Sequence, residues 1–192
     1  MNVDYALGAR FAKIPFFRLL NRKVRLFKVD WDPGILIHDL RRRFPFKDNT
    51  VDVIYASHCL EHFTKDQGMQ FLRECHRVLK TNGILRVVVP DLAALIAKYA
   101  NGEIPADEFV EKLVAIPTSL NRGCLKRLFA NLIAFPHKCM YDEKTLLNKL
   151  RMVGFQANQR KAFDSAIEDI GKIEIESRTE GAVIVEGRNI VT

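Results

Sequence analysis

The chain has 192 residues, 48% hydrophobic and 28% charged, a balance that suits one compact domain with a buried core and excludes a disordered or fibrous polymer. Its longest apolar runs, Leu132 to Pro136 and Leu85 to Val89, are far shorter than the roughly 20 residues a membrane-spanning helix needs, and Met1 to Arg10 lacks the pattern of a secretory signal. A formal charge of +7 favours anionic partners, while Cys59, Cys75, Cys124 and Cys139 form no C-x-x-C pair and point to reduced thiols in a cytoplasmic protein, not to disulfides or structural zinc.

In chain order, the first clear element is Val24 to Asp30 (VRLFKVD), short, apolar-rich and closed by Asp32-Pro33-Gly34, which predicts a strand ending in a turn. Ile35 to Asp39 repeats the pattern as a second short strand ending in an acid. The densest basic run, Arg41-Arg42-Arg43, carries no interleaved aromatics of the kind that stack on single-stranded bases, so a nucleic-acid partner rests on net charge alone. Val51 to Ala56 (VDVIYA) is β-branched and aromatic and predicts a third strand. From Thr64, the residues Met69, Phe71, Leu72, Cys75, Val78 and Leu79 recur at helical spacing until Asn82-Gly83. Ile84 to Val89 (ILRVVV) reads as a strand buried on both faces and ended by Pro90. Strand, helix, strand in that order implies a right-handed crossover within a parallel sheet.

Asp91 to Phe135 predicts helices broken at Asn101-Gly102, Pro105 and Pro117, the last of them amphipathic and basic. Thr145 to Met152 is one more helix, stopped by Gly154. Lys172 to Glu186 alternates as strand material around Thr179-Glu180-Gly181, which predicts a hairpin at the sheet edge. The expected architecture is a single α/β domain over residues 1–192, an open, mostly parallel sheet with helices on both faces and an antiparallel carboxyl-terminal hairpin, with a helical insertion or lid at about 91–136.

Ligands of such sheets bind at the carboxyl ends of the strands, where this chain has Asp30, Asp39 and the pair Ser57-His58. An acid closing a strand offers two acceptors to a vicinal diol such as a ribose, and its alternative role is that of a turn or capping residue. His58-Cys59-Leu60-Glu61-His62 matches the H-x-x-E-H pattern in which two histidines hold zinc and the glutamate activates water. That pattern works within a helix, whereas here it directly follows a strand, so no metal ligand is assigned. A helix-start cap for Ser57 is expected instead, and His58, Glu61 and His62 are the candidates for a catalytic base, the alternative for each histidine being a hydrogen-bonded structural role. His137 and Tyr141 are candidates to face a substrate from the lid, with packing roles as the alternative.

The stretch HDLRRRFPFKDNTVDVIYASHCLEHF, followed by FLRECHRVLKTNGILRVVVPDL, resembles predicted S-adenosylmethionine-dependent methyltransferases of the Rossmann-like superfamily, type 11-like. The resemblance extends from about Val24 to Glu186, through HKCMYDEKTLLNKLRMVGF and the closing VIVEG. It implies a Rossmann-like fold, S-adenosylmethionine as cofactor, and methyl transfer to a small-molecule, sugar or lipid-linked acceptor. By the same resemblance Asp30 holds the ribose, Asp39 and Leu40 flank the adenine, and Ala56, Ser57 and His58 line the methionine end. In this family a glycine-rich loop joins the first strand to the first helix. Here Val3 to Leu7 is the candidate strand and Gly8 the remaining glycine, with Ala9 and Arg10 where a small residue and a second glycine are expected, and Pro15 in the helix that follows. Either the loop has degenerated or the chain starts after the true first strand. The alternative to an enzyme is therefore a methyltransferase-like binding or scaffold protein that has lost the cofactor loop.

Overall fold

A computed structural model of the protein describes residues 1–4, 13, 34–115 and 136–190. The chain divides into two compact units, residues 1–44 with 120–134, and residues 45–119 with 135–192. In the first unit, strands β1 (Val3–Asp4) and β2 (Leu36–Ile37) pair in parallel. The second lies at the centre of the strand expected at Ile35 to Asp39. The expected strand at Val24 to Asp30, the residues Gly8 and Asp30, and the basic helix after Pro117 lie outside the described residues.

The second unit holds a sheet with strand order β3-β4-β6-β5. Strand β3 (Val51–Ser57) runs parallel to β4 (Leu79–Pro90), and β6 (Ala182–Asn189) lies antiparallel between β4 and β5 (Phe155–Gln159). The link from β3 to β4 is helix α1 (Lys65–Val78). Its start is fixed by a capping box, in which the Thr64 hydroxyl accepts from the Gln67 amide and the Gln67 side chain accepts from the Thr64 amide. Phe71, Leu72, Cys75 and Val78 are buried along one face, as the spacing predicts.

The helix stops before Asn82-Gly83, because Leu79 already turns extended with ψ 135° and pairs with Val51. Amides of Asn49 and Thr50 donate to the carbonyls of Arg77 and Val78 (3.0 and 2.9 Å), so the approach to β3 satisfies the last turn from outside. Arg77 ties the same loop down: its guanidinium grips Glu74 at 3.0 and 2.6 Å and reaches the Phe46 carbonyl and Asp48. Gly83 is required at the register irregularity early in β4, since a Cβ there would lie 2.8 Å from the Lys80 carbonyl oxygen.

After β4 come α2 (Leu92–Ala100) and α3 (Ala106–Val114), the described part of the expected lid, then α4 (Glu143–Met152), which packs on β5 and β6. Gly154 closes α4 with φ +104°, the left-handed stop the sequence predicts. Among the described residues no helix is long and apolar enough to cross a membrane.

The carboxyl-terminal strands are antiparallel, but the first arm is β5 and not the alternating Lys172 to Thr179. That segment forms a 3-10 turn at Ile170–Lys172 and the short helix α5 (Glu176–Thr179). Its alternation has the opposite sense to a core-facing strand: Ile173 and Ile175 are exposed while Glu174 between them is 5% exposed. The reason is Arg86. This residue sits fully buried in the apolar run of β4, where Nε and Nη2 donate to the two Glu174 carboxylate oxygens (2.9 and 2.8 Å) and Nη1 donates to Glu186 (2.8 Å). The carbonyls of Asp164 and Lys161 accept the remaining two N–H groups. Glu186 also accepts from the Ser165 hydroxyl and the Ala166 amide, so the network pins the whole connection from β5 to β6.

Candidate functional site

The parallel pair β3–β4 ends where the H-x-x-E-H stretch begins. Ala56 is buried and paired with Val87. The Ser57 hydroxyl is buried and makes no hydrogen bond among the described residues, so it caps nothing; the turn that follows has Cys59 at its start, without a side-chain cap, and Thr64 caps α1. His58 adopts φ +50°, with its amide bonded to the Val88 carbonyl, and this left-handed residue swings the chain out of the strand. A single 3-10 turn, Leu60–His62, then buries Leu60 and Glu61 completely and leaves His62 half-buried at the side. The H-x-x-E-H residues are thus not on one helix, and the two histidines point to different partners.

His58 places both ring nitrogens against acceptors: Nε2 lies 2.8 Å from the Arg178 carbonyl and Nδ1 3.3 Å from Glu61 Oε1. The Glu61 carboxylate, with the Arg178 carbonyl, raises its pKa against the opposing effect of burial. Both ring nitrogens are thus engaged in holding His58 at the strand end. The contact to Glu61 is an ion pair, and among the described residues neither Glu61 oxygen has a hydrogen-bond partner, although the residue is 0% exposed.

A second segment closes on the turn. The amides of Lys138 and Cys139 both donate to the Glu61 carbonyl (2.8 and 3.1 Å), and His137 is anchored to the end of α3 by its amide to Val114 and its Nδ1 to Leu113 (3.0 and 3.2 Å). This sets the His137 ring 5.3 Å from the His62 ring. Burial lowers the His137 pKa. Tyr141, expected beside His137 at the substrate, is instead a core residue at 1% exposure, its phenol pushed up by burial and by Cys139. Asp39, in the other unit, has its carboxylate gripped by Arg41 through Nε and Nη2, both at 2.7 Å, which lowers its pKa; Leu40 beside it is half-buried.

Structure therefore gathers Glu61, His62 and His137, with His58 behind Glu61, at the carboxyl end of the parallel pair. His137 was legible as a candidate but not as a member of this cluster, and the Arg178 carbonyl that orients His58 carries no side-chain signal at all.

Residues 17–87 match the family model described as a methyltransferase domain. No curated protein matches the chain. Among solved structures, a protein from Pyrococcus horikoshii is 16% identical with a TM-score of 0.51, covering 97% of this chain and 69% of its own. A possible exported protein from Bordetella parapertussis is 11% identical with a TM-score of 0.51, covering 98% of this chain and 52% of its own. A SAM-dependent methyltransferase from Archaeoglobus fulgidus is 14% identical with a TM-score of 0.49, covering 97% and 74%. The chain spans between 36% and 82% of the length of the structures it resembles. The domain match runs through β3, α1 and most of β4, and the likeness to the two structures with a TM-score of 0.51 is one of fold: over residues 17–87 the chain is similar to a methyltransferase domain.

Proposed function

We propose that the chain binds S-adenosylmethionine and transfers its methyl group to a small-molecule, sugar or lipid-linked acceptor. The observation that carries this reading is the cluster of His58, Glu61, His62 and His137 at the carboxyl end of β3, in a chain whose residues 17–87 match a methyltransferase domain. The buried Ser57 hydroxyl at the same strand end, which makes no hydrogen bond in normal geometry among the described residues, fits a ligand with a polar amino-acid end. Ala56, Ser57 and His58 would hold that end, and Asp30, Asp39, Leu40 and Gly8 keep the cofactor roles their resemblance gives them.

When bound, the cofactor supplies an electrophilic methyl group on a sulfonium. The chain has to hold donor and acceptor in line; His58, held between the Glu61 carboxylate and the Arg178 carbonyl, fixes the strand end. Glu61, His62 and His137 present a carboxylate and two imidazoles to one small volume, an electron-rich wall suited to an acceptor that gives up a proton. One observation favours the scaffold reading: the family match starts at residue 17, after the Gly8-Ala9-Arg10 loop.

Titration calorimetry with S-adenosylmethionine separates the two. Micromolar binding is expected, weakened about 10- to 100-fold by Asp30→Ala, the worth of a charged hydrogen bond pair. No heat at high donor concentration would leave the scaffold reading.

A further inference from the structure

We infer that Glu61, His62 and His137 form a binding site for a divalent transition-metal ion of the zinc class. One ligand atom from each lies within 4.8 Å of the other two. Coordination at about 2.0–2.2 Å sets tetrahedral ligands about 3.4 Å apart, so small side-chain rotations close the three onto an ion.

Three independent features of the structure support the assignment. First, Glu61 is 0% exposed, yet among the described residues neither carboxylate oxygen has a hydrogen-bond partner. A carboxylate is buried only where a charge or a metal compensates it, and the single ion pair with His58 at 3.3 Å engages one oxygen. Second, both histidines are set as ligands. The Nδ1 of His62 faces the Pro136 carbonyl at 3.3 Å and that of His137 faces the Leu113 carbonyl at 3.2 Å. A carbonyl only accepts, so each Nδ1 carries the proton and each Nε2 the lone pair, the tautomer that metal-binding histidines adopt. Third, the frame is rigid: the Glu61 carbonyl receives the amides of Lys138 and Cys139, which locks the turn carrying Glu61 and His62 to the segment carrying His137.

This ligand set differs from the one the H-x-x-E-H spacing suggests, because the His58 ring is committed to Glu61 and Arg178 and acts behind the carboxylate. Two imidazoles and one carboxylate suit zinc, iron(II) or cobalt(II) and not magnesium or calcium, which prefer oxygen alone. Three protein ligands leave a coordination position open. On the methyltransferase reading, on which this one step rests, that position takes an oxygen of the acceptor and lowers the pKa of its hydroxyl, which narrows the acceptor to an oxygen nucleophile.

The test is zinc titration into the whole, metal-stripped chain by calorimetry, with no methyl donor present. One site per chain is expected, and cobalt(II) is expected to give the visible spectrum of a low-symmetry four- or five-coordinate ion. Glu61→Gln and His137→Asn are each expected to weaken zinc more than about tenfold with unchanged circular dichroism, whereas Cys59→Ser with Cys139→Ser keeps the affinity. Zinc is also expected to raise the Tm of the unsubstituted chain, reversed by chelator, a readout that needs no variant. Absence of a one-to-one site, full affinity in both ligand variants, or loss in the cysteine variant with retention in His137→Asn overturns the site. Since no donor is present, failure here and failure of donor binding are read separately.

Discussion

Arg86 shows how one residue decides the shape of a distant segment. A guanidinium has five N–H donors, and here all five are accepted, by two carboxylates and two carbonyls, at zero exposure. Replacing it by methionine keeps the volume in the strand but leaves Glu174 and Glu186 buried without a counter-charge. Arg86→Met is therefore expected to cost about 3–5 kcal/mol in urea denaturation; a loss under about 1 kcal/mol would show that the carboxylates find water or other partners. In the sequence Arg86 is visible as one charge in the run ILRVVV, but its partners lie 88 and 100 residues away, so no local pattern pairs them. The candidate site divides in the same way. His58, Glu61 and His62 are legible because they adjoin a strand end, whereas the partnership with His137 spans the entire lid region and arises only when the Lys138 and Cys139 amides find the Glu61 carbonyl.

At the scale of elements, period and caps carry most of the information. Helix α1 begins at the residue its capping box names, and its buried face follows the apolar spacing. Thr64→Ala removes the hydroxyl that accepts from the Gln67 amide and is expected to lower stability by about 1 kcal/mol; Thr64→Ser should retain most of it, and an alanine variant equal to wild type in urea would remove the cap from the account. The other end of the helix was misread because its stop comes from tertiary pairing of Leu79 with Val51, not from Asn82-Gly83. The antiparallel carboxyl-terminal pair was right in kind and wrong in its first arm. Alternation alone does not say which set of side chains faces inward, and at Ile173-Glu174-Ile175 the buried partner of an arginine wins over two isoleucines. Such inversions follow wherever a charged residue is already buried in the neighbouring strand.

At the scale of the larger unit, His76 is a point where several elements meet. Its ring packs edge-on to Phe155 of β5 at 5.0 Å, Nε2 is buried against Gly154 with no hydrogen-bond partner in normal geometry among the described residues, and the His76 carbonyl accepts from Asn189 of β6. A Cβ at position 154 would come within 2.8 Å of that nitrogen, so the glycine that stops α4 also makes room for the ring. Burial lowers the His76 pKa below the ordinary histidine value. The unfolded chain, with its histidines near 6.5, then takes up the proton first as pH falls. The stability from this group is complete above about pH 6.5, declines as pH drops through that value, and levels off below the lowered folded pKa. Thermal unfolding of wild type and His76→Gln across pH 8 to 5 isolates the effect, because every other histidine titrates in both proteins. Wild type is expected to lose more Tm than the variant over that range. Parallel curves would mean that the ring gains solvent or a partner on protonation, and a steeper loss in the variant would reverse the sign and place a favourable acceptor beside Nε2.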